Sequence, residues 1–232
     1  MIRFEEFEAS GLAVAAMTEQ RDGDCCLPGA GTARAVCCAR LGISHEALVC
    51  GKQVHGRDIA IVDERERGRG ALSWDSALPA TDGLITATPG IPLAVFVADC
   101  VPVFLFAPAA RVAGLVHAGR QGTREDIVGR AVHLMQQRLG VCPQEIRALL
   151  GPSAGPGRYE VSEAMAAEWH QAGFPVQGRR LDLWEANRRH LVAAGVPEVH
   201  ILVSGICTIE DGRFFSYRRG DSAARNMAVL MV

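Results

Sequence analysis

The sequence predicts a mixed α/β fold in one domain covering residues 1–232. Three observations lead there. Hydrophobic residues make up 49% of 232 residues, enough to bury a sizeable core. Strand-like apolar runs and helix-like periodic runs interleave through β-β, β-α and α-β steps, which excludes a simple doubly wound sheet. No linker, low-complexity tract or short repeat divides the chain.

Residues 32–41 read as a helix with Val36, Cys37 and Leu41 inward and Gly42 as its C-cap. Residues 47–50 and 59–62 read as short strands around the polar loop 51–56. Residues 63–79, charged and then Ser/Pro-containing, read as a loop, and Thr81-Asp82-Gly83 as a turn. Residues 93–98 and 101–106 are nearly all apolar, so both faces of these strands are expected to be covered. A further strand, 112–116, ends at His117. Thr123, with Asp126 as capping-box partner, is expected to open a helix to Leu139. Its buried face would be Ile127, Ala131, Leu134 and Leu139, and Gly140 would stop it. A strand at 146–150 leads into the turn-rich segment 151–157. Ser162 caps a short helix through Trp169, and Asp182 caps another running to Ala194, with Gly195 as stop. Residues 200–206 and 213–217 close the chain as strands.

Charge and composition exclude several function classes. The net charge is −2 and no broad basic field is present, which argues against nucleic acid and anionic membranes as partners. The first residues, Met1 to Glu6, form no apolar h-region, and the longest apolar run, 91–97, is strand-sized. The expectation is a cytoplasmic protein, a monomer or weak homo-oligomer, acting on a small molecule. Eight cysteines contain no C-x-x-C, so reduced thiols are expected rather than a disulfide framework or zinc ribbon.

Chemistry-bearing side chains sit in three short segments, Gln53-Val54-His55-Gly56, Ala98-Asp99-Cys100 and Val116-His117-Ala118-Gly119. Each sets a metal-capable residue beside small or turn-forming ones. Two imidazoles and a thiolate would make a three-ligand site with a fourth position open, the pattern of catalytic zinc. Such an ion lowers the pKa of bound water and supplies hydroxide. Taken singly, each has a plainer reading: a surface histidine at His55, a buried thiol at Cys100, a structural histidine at His117. Cys100 could also be the nucleophile of a metal-free cysteine hydrolase, with His117 or His55 as base.

The ordered motifs settle on one resemblance. Lys52-Gln53-Val54-His55-Gly56, Thr81-Asp82-Gly83-Leu84-Ile85-Thr86, Ala98-Asp99-Cys100-Val101-Pro102-Val103 and Val116-His117-Ala118-Gly119 resemble the laccase-domain proteins. These are also called multicopper polyphenol oxidase or peptidoglycan editing factor. Gly151-Pro152, Tyr159-Glu160-Val161, Asp182-Leu183-Trp184, Cys207-Thr208 and Phe214-Phe215-Ser216-Tyr217-Arg218-Arg219 continue the match, which runs from about Lys52 onward.

The resemblance implies a three-layer mixed α/β fold shared with a toxin-type cysteine hydrolase, and Zn2+ held by His55, Cys100 and His117. It implies phosphorolysis of adenosine, inosine or methylthioadenosine and deamination of adenosine, or, in some relatives, cell-wall precursor editing. Asp99, Cys100 and Glu160 are then the catalytic candidates. Arg34, Gln53, Arg120 and Arg218 are the candidates for holding substrate or phosphate. A copper oxidase fits less well, because laccases use further His-x-His pairs and this chain has none. The chain also departs from the family pattern. Arg120-Gln121 stands where Trp-Arg is usual, and Ala224-Arg225-Asn226 where a Gly-Arg pair is usual.

Overall fold

A computed structural model describes residues 1–26 and 31–232. In chain order its elements are β1 (Ile2–Arg3), α1 (Glu5–Glu8), β2 (Val14–Met17), α2 (Gly31–Arg40), β3 (Val49–Cys50), β4 (Ile59–Ile61) and β5 (Gly83–Thr86). There follow β6 (Leu93–Val97), β7 (Val101–Ala107), β8 (Val112–Ala118), α3 (Arg120–Arg124), α4 (Ile127–Leu139), β9 (Arg147–Leu150) and α5 (Glu163–Gln171). The chain closes with β10 (Val176–Gln177), β11 (Arg180–Leu181), α6 (Leu183–Ala193), β12 (Ile201–Val203) and β13 (Asn226–Met231). One sheet has the order β1-β2-β13-β6-β3 and the other β12-β9-β7-β8-β5-β4, while β10 and β11 form a separate hairpin. Both larger sheets mix parallel and antiparallel pairs.

Side-chain alternation explains the stack, because successive residues of a strand face opposite ways. On β7, Phe104 and Phe106 meet Val95, Val97 and Met17 of the other sheet. Its alternate residues Val101, Val103 and Leu105 face Ile127, Ala131 and Met135 of α4. On β6, Ala94 and Phe96 turn outward to Cys37 and Cys38 of α2. Both strands are therefore covered on both faces, as their unbroken apolar composition demands. The mixed α/β class is what the sequence predicts. The stack runs helix, sheet, sheet, helix, one layer more than the resemblance implies, because α2 covers the outer face of the first sheet. Among the described residues no helix is long and apolar enough to cross a membrane.

Several local expectations are corrected. Val36 is 53% exposed, whereas Arg34, Cys37 and Cys38 form the inward face of α2. The helix expected from Thr123 is broken in two. Asp126 adopts a left-handed conformation (φ 55°, ψ 50°) and caps α4 by accepting from Gly129 N. Thr123 lies inside α3, where its hydroxyl accepts from Asn187 Nδ2 at 3.0 Å. Residues 213–217 form no strand, because side chains take their amides: Phe215 N donates to Asn226 Oδ1 and Ser216 N to Asp221 Oδ2. The strands β2 and β13, which sequence reading did not anticipate, pair with each other in the first sheet. The helices capped by Ser162 and Asp182 form as expected.

Candidate metal centre and its cavity

The chain crosses from the first sheet to the second between β3 and β4, and again between β6 and β7. His55 sits on the first crossing and Cys100 on the second, while His117 lies near the end of β8. The three ligand atoms lie within 4.8 Å of one another. The rings of His55 and His117 meet edge to face with centroids 4.8 Å apart.

Backbone geometry brings them together. His55 (φ 61°) and Asp99 (φ 80°) both occupy the left-handed region that non-glycine residues seldom adopt. The His55 turn is held by Asp82, whose carboxylate accepts from the amides of Val54 (3.1 Å), His55 (3.0 Å) and Gly56 (2.9 Å). That same carboxylate meets His117 Nδ1 at 2.8 Å, and the Asp82 carbonyl accepts from His117 N at 2.7 Å. With Nδ1 donating to Asp82, Nε2 of His117 is left as the ligating nitrogen. Gly119 completes the cradle: a Cβ there would stand 3.0 Å from His55 Cδ2 and 3.1 Å from Cys100 Sγ.

Electrostatics match this geometry. Burial alone pushes the Cys100 thiol up, but the charge and hydrogen bond of His117, and those of His55, more than offset it and bring it down to about 6. Burial pulls His117 down, but Cys100 and Asp82 push it up to about 9. Burial raises Asp82, yet His117 and the amides of Gly56 and Val54 hold it below the usual carboxylate range. The donors are two imidazoles and an anionic sulfur, one imidazole backed by a carboxylate, with a gap that a side chain at position 119 would close. They fit a borderline-soft divalent ion such as zinc.

The trio opens into a cavity of about 590 Å3. Of the residues singled out by sequence, Gln53, Asp99, Cys100, Arg120 and Arg218 line it together with His55 and His117. Gln53 exchanges two 2.8 Å hydrogen bonds with the Phe96 main chain, so it acts as a short extra strand pairing. Asp99 is 6% exposed and accepts from Thr208 Oγ1 (2.7 Å) and Arg218 N (2.8 Å). Arg218 stacks over Tyr159 at 4.7 Å and donates to the Glu160 carbonyl. Arg120 donates to the Met165 sulfur.

Two candidates lie outside the lining. Arg34 is 1% exposed, stacks on Phe96 and donates to the carbonyls of Cys25, Gly70 and Ala71, so its guanidinium braces the wall from behind. The exposed Glu160 carboxylate pairs with Arg179. Sequence reading had Asp82 only as a turn residue; the hint was its place in the Thr81-Asp82-Gly83 motif. Trp74, Phe96, Tyr159 and Arg225 also line the cavity without having been singled out for it. Burial, with Cys100 nearby, pushes the Tyr159 phenol up, and Arg120 and Arg218 only partly offset this.

Comparison with known proteins adds the family. A family model described as multi-copper polyphenol oxidoreductase laccase matches residues 30–232. The chain is 43% identical over 185 residues to purine nucleoside phosphorylase YlmD of Geobacillus stearothermophilus, covering 75% of this chain and 68% of that one. It is 35% identical over 198 residues to adenosine deaminase RL5 from an unknown prokaryotic organism, covering 81% and 75%. The crystal structure of YlmD from Geobacillus stearothermophilus superposes with a TM-score of 0.87 at 36% identity, covering 94% of this chain and 91% of that one.

Proposed function

Because the chain belongs to the multi-copper polyphenol oxidoreductase laccase family, we propose from its site that it is a zinc-dependent purine nucleoside enzyme. Its reactions are phosphorolysis of adenosine, inosine or methylthioadenosine, and deamination of adenosine. The observation that carries this reading is the His55, Cys100, His117 trio opening into a nucleoside-sized cavity. The names of its relatives, purine nucleoside phosphorylase and adenosine deaminase, set the substrate class. Among the described residues this trio is the one group suited to a metal, which favours a single zinc over several coppers.

His55, Cys100 and His117 would hold the zinc ion, which when bound would supply Lewis acidity and lower the pKa of water in the cavity. Asp82 fixes the His117 tautomer and the His55 turn. Arg120 and Arg218 bring positive charge to phosphate. In phosphorolysis a phosphate oxygen bonds to the anomeric carbon as the carbon–nitrogen bond to the base breaks, and the base takes up a proton. In deamination water adds to the purine carbon bearing the amine, and ammonia leaves. Asp99, among the described residues the one carboxylate lining the cavity, is our choice for moving a proton from the added water to the leaving amine. Glu160 and Arg34 are assigned to support rather than contact.

The test is to incubate the zinc-loaded protein with adenosine, with and without phosphate, and separate the products. Adenine formed only with phosphate supports phosphorolysis, and inosine formed without it supports deamination. Neither product, from folded protein that retains zinc, overturns the reading. The hydrogen-bonded series Cys100, His117, Asp82 also suits a metal-free cysteine hydrolase. Activity that survives zinc removal but dies in Cys100→Ala would favour that alternative. Residues 1–232 are read as one domain because β13 closes a sheet between β2 and β6, and the free thiols of the described cysteines suit a cytoplasmic location. One calorimetric unfolding transition is expected, and two separate ones would refute the single domain.

A further inference from the structure

The cavity lining holds one more guanidinium than the phosphate reading above uses. Three guanidinium groups line it: Arg120, Arg218 and Arg225. Among the described residues Asp99 is the one lining carboxylate, and its oxygens accept from the Thr208 hydroxyl and the Arg218 amide rather than from a guanidinium. The partners described for the arginines are a sulfur and carbonyl oxygens: Met165 Sδ for Arg120, the Glu160 carbonyl for Arg218, and the Ser222 and Ala224 carbonyls for Arg225. None of these neutralises a cation. A concave site lined by unneutralised guanidiniums favours a ligand with matching negative charge.

The cations also enter from different parts of the fold. Arg120 opens α3 at the end of β8, in the second sheet. Arg225 directly precedes β13, whose first residue, Asn226, is paired with Val97 in the first sheet. Its amide is anchored on Asp24 Oδ1 at 3.0 Å and its carbonyl on Cys25 N at 3.3 Å, so the backbone that presents this side chain is fixed. Arg218 comes from the connection between β12 and β13 and stacks on Tyr159. Phosphate as co-substrate occupies the Arg120 and Arg218 side in the reading above, which leaves Arg225 facing the cavity without a role.

We propose that Arg225 forms a second phosphoryl subsite, so that the preferred substrate is a purine nucleoside 5′-phosphate rather than the free nucleoside. This rests on the purine nucleoside reading and names its substrate class. The reacting end of such a molecule, its base and anomeric carbon, belongs at His55, Cys100 and His117. The exocyclic 5′ arm projects away from that end and can deliver its phosphoryl group to a guanidinium on the other sheet.

Titration calorimetry on the zinc-loaded protein tests this without depending on turnover. Adenosine, 5′-AMP and inorganic phosphate are titrated into the parent and Arg225→Ala. The expected result is 5′-AMP binding tighter than adenosine by about tenfold or more, the scale of one charge-assisted contact, with that ratio collapsing in Arg225→Ala. Equal affinities for 5′-AMP and adenosine overturn the proposal, as does a preference that survives the substitution. Loss of inorganic phosphate binding with the ratio intact overturns it too, by making Arg225 the co-substrate site. Absence of binding by either purine compound overturns it outright. Turnover of adenosine, measured separately, decides the parent reading, so the two can fail independently.

Discussion

Asp82 and Asp99 are both buried aspartates beside the metal candidates, yet they organise different regions. Asp82 gathers four donors, three from the His55 turn and one from the His117 ring, and so fixes two ligands at once. Asp99 instead accepts from the Thr208 hydroxyl and the Arg218 amide, and fixes the loop that carries Arg218. Adjacency in sequence to a ligand made Asp99 the stronger candidate on paper. Contact with a ligand belongs to Asp82, which lies 35 residues before His117 in the chain.

That division can be broken by substitution. Asp82→Ala should have the largest effect. It removes one member of a buried ion pair and strands three amides, costing about 3–5 kcal/mol in denaturant unfolding. Zinc affinity measured by chelator competition should fall by about 10–100-fold, as for lost outer partners of ligating histidines. Unchanged zinc affinity would refute Asp82 as the organiser.

Asp99→Asn should act next, and on chemistry rather than on metal. Zinc content should match the parent while deamination falls by about 100-fold, the lower end for a lost acid–base group. Phosphorolysis should fall less. If both activities decline in parallel, Asp99 is a positioning residue alone.

Gly119→Ala sharpens the contrast from the ligand side. The added methyl presses on His55 and Cys100, so zinc affinity should drop while Arg218 and its loop are untouched. The overpacking cost should be about 1–3 kcal/mol. Parent-like zinc affinity would show that the cradle relaxes.

The smallest effect belongs to a half-buried carboxylate on α6. Glu185, hydrogen-bonded by Arg188 and then Arg189, is brought down to about 2. A folded-state pKa below the unfolded one gives stability that is present above the ordinary carboxylate range and lost as pH falls toward about 2. The margin of the parent over Glu185→Gln in thermal unfolding should therefore shrink steadily on acidification. A margin independent of pH would refute the ion pair's role.

Much of the site was legible because its candidate ligands sit in short motifs whose order carries the family resemblance. His55, Cys100 and His117 could be named from such segments. Asp82 could not be assigned a role, since its meaning comes from a contact with a residue far along the chain. Thr123 illustrates a second limit. Its local pattern matched a capping box, but Asn187, 64 residues away, takes its hydroxyl and the cap passes to Asp126. Arg34 illustrates a third. An arginine in a helix pattern reads as surface or ligand-binding, and only the carbonyls of Cys25, Gly70 and Ala71 reveal it as a buried brace. Strands β7 and β8 were readable from composition. Strand β13 makes sense as a strand only once β2 and β6 stand on either side of it.

Both crossings from the first sheet to the second carry a metal candidate, His55 on one and Cys100 on the other. The candidate ligand atoms come from both crossings and from β8, so they converge while the two sheets are docked through the layer containing Met17, Val95, Phe104 and Leu115. Metal affinity is thereby a gauge of how firmly the two halves of the sandwich are clasped, since an ion that binds the docked state alone shifts the equilibrium toward it. A change deep in that interface, remote from every ligand, would then register first as a leak of metal.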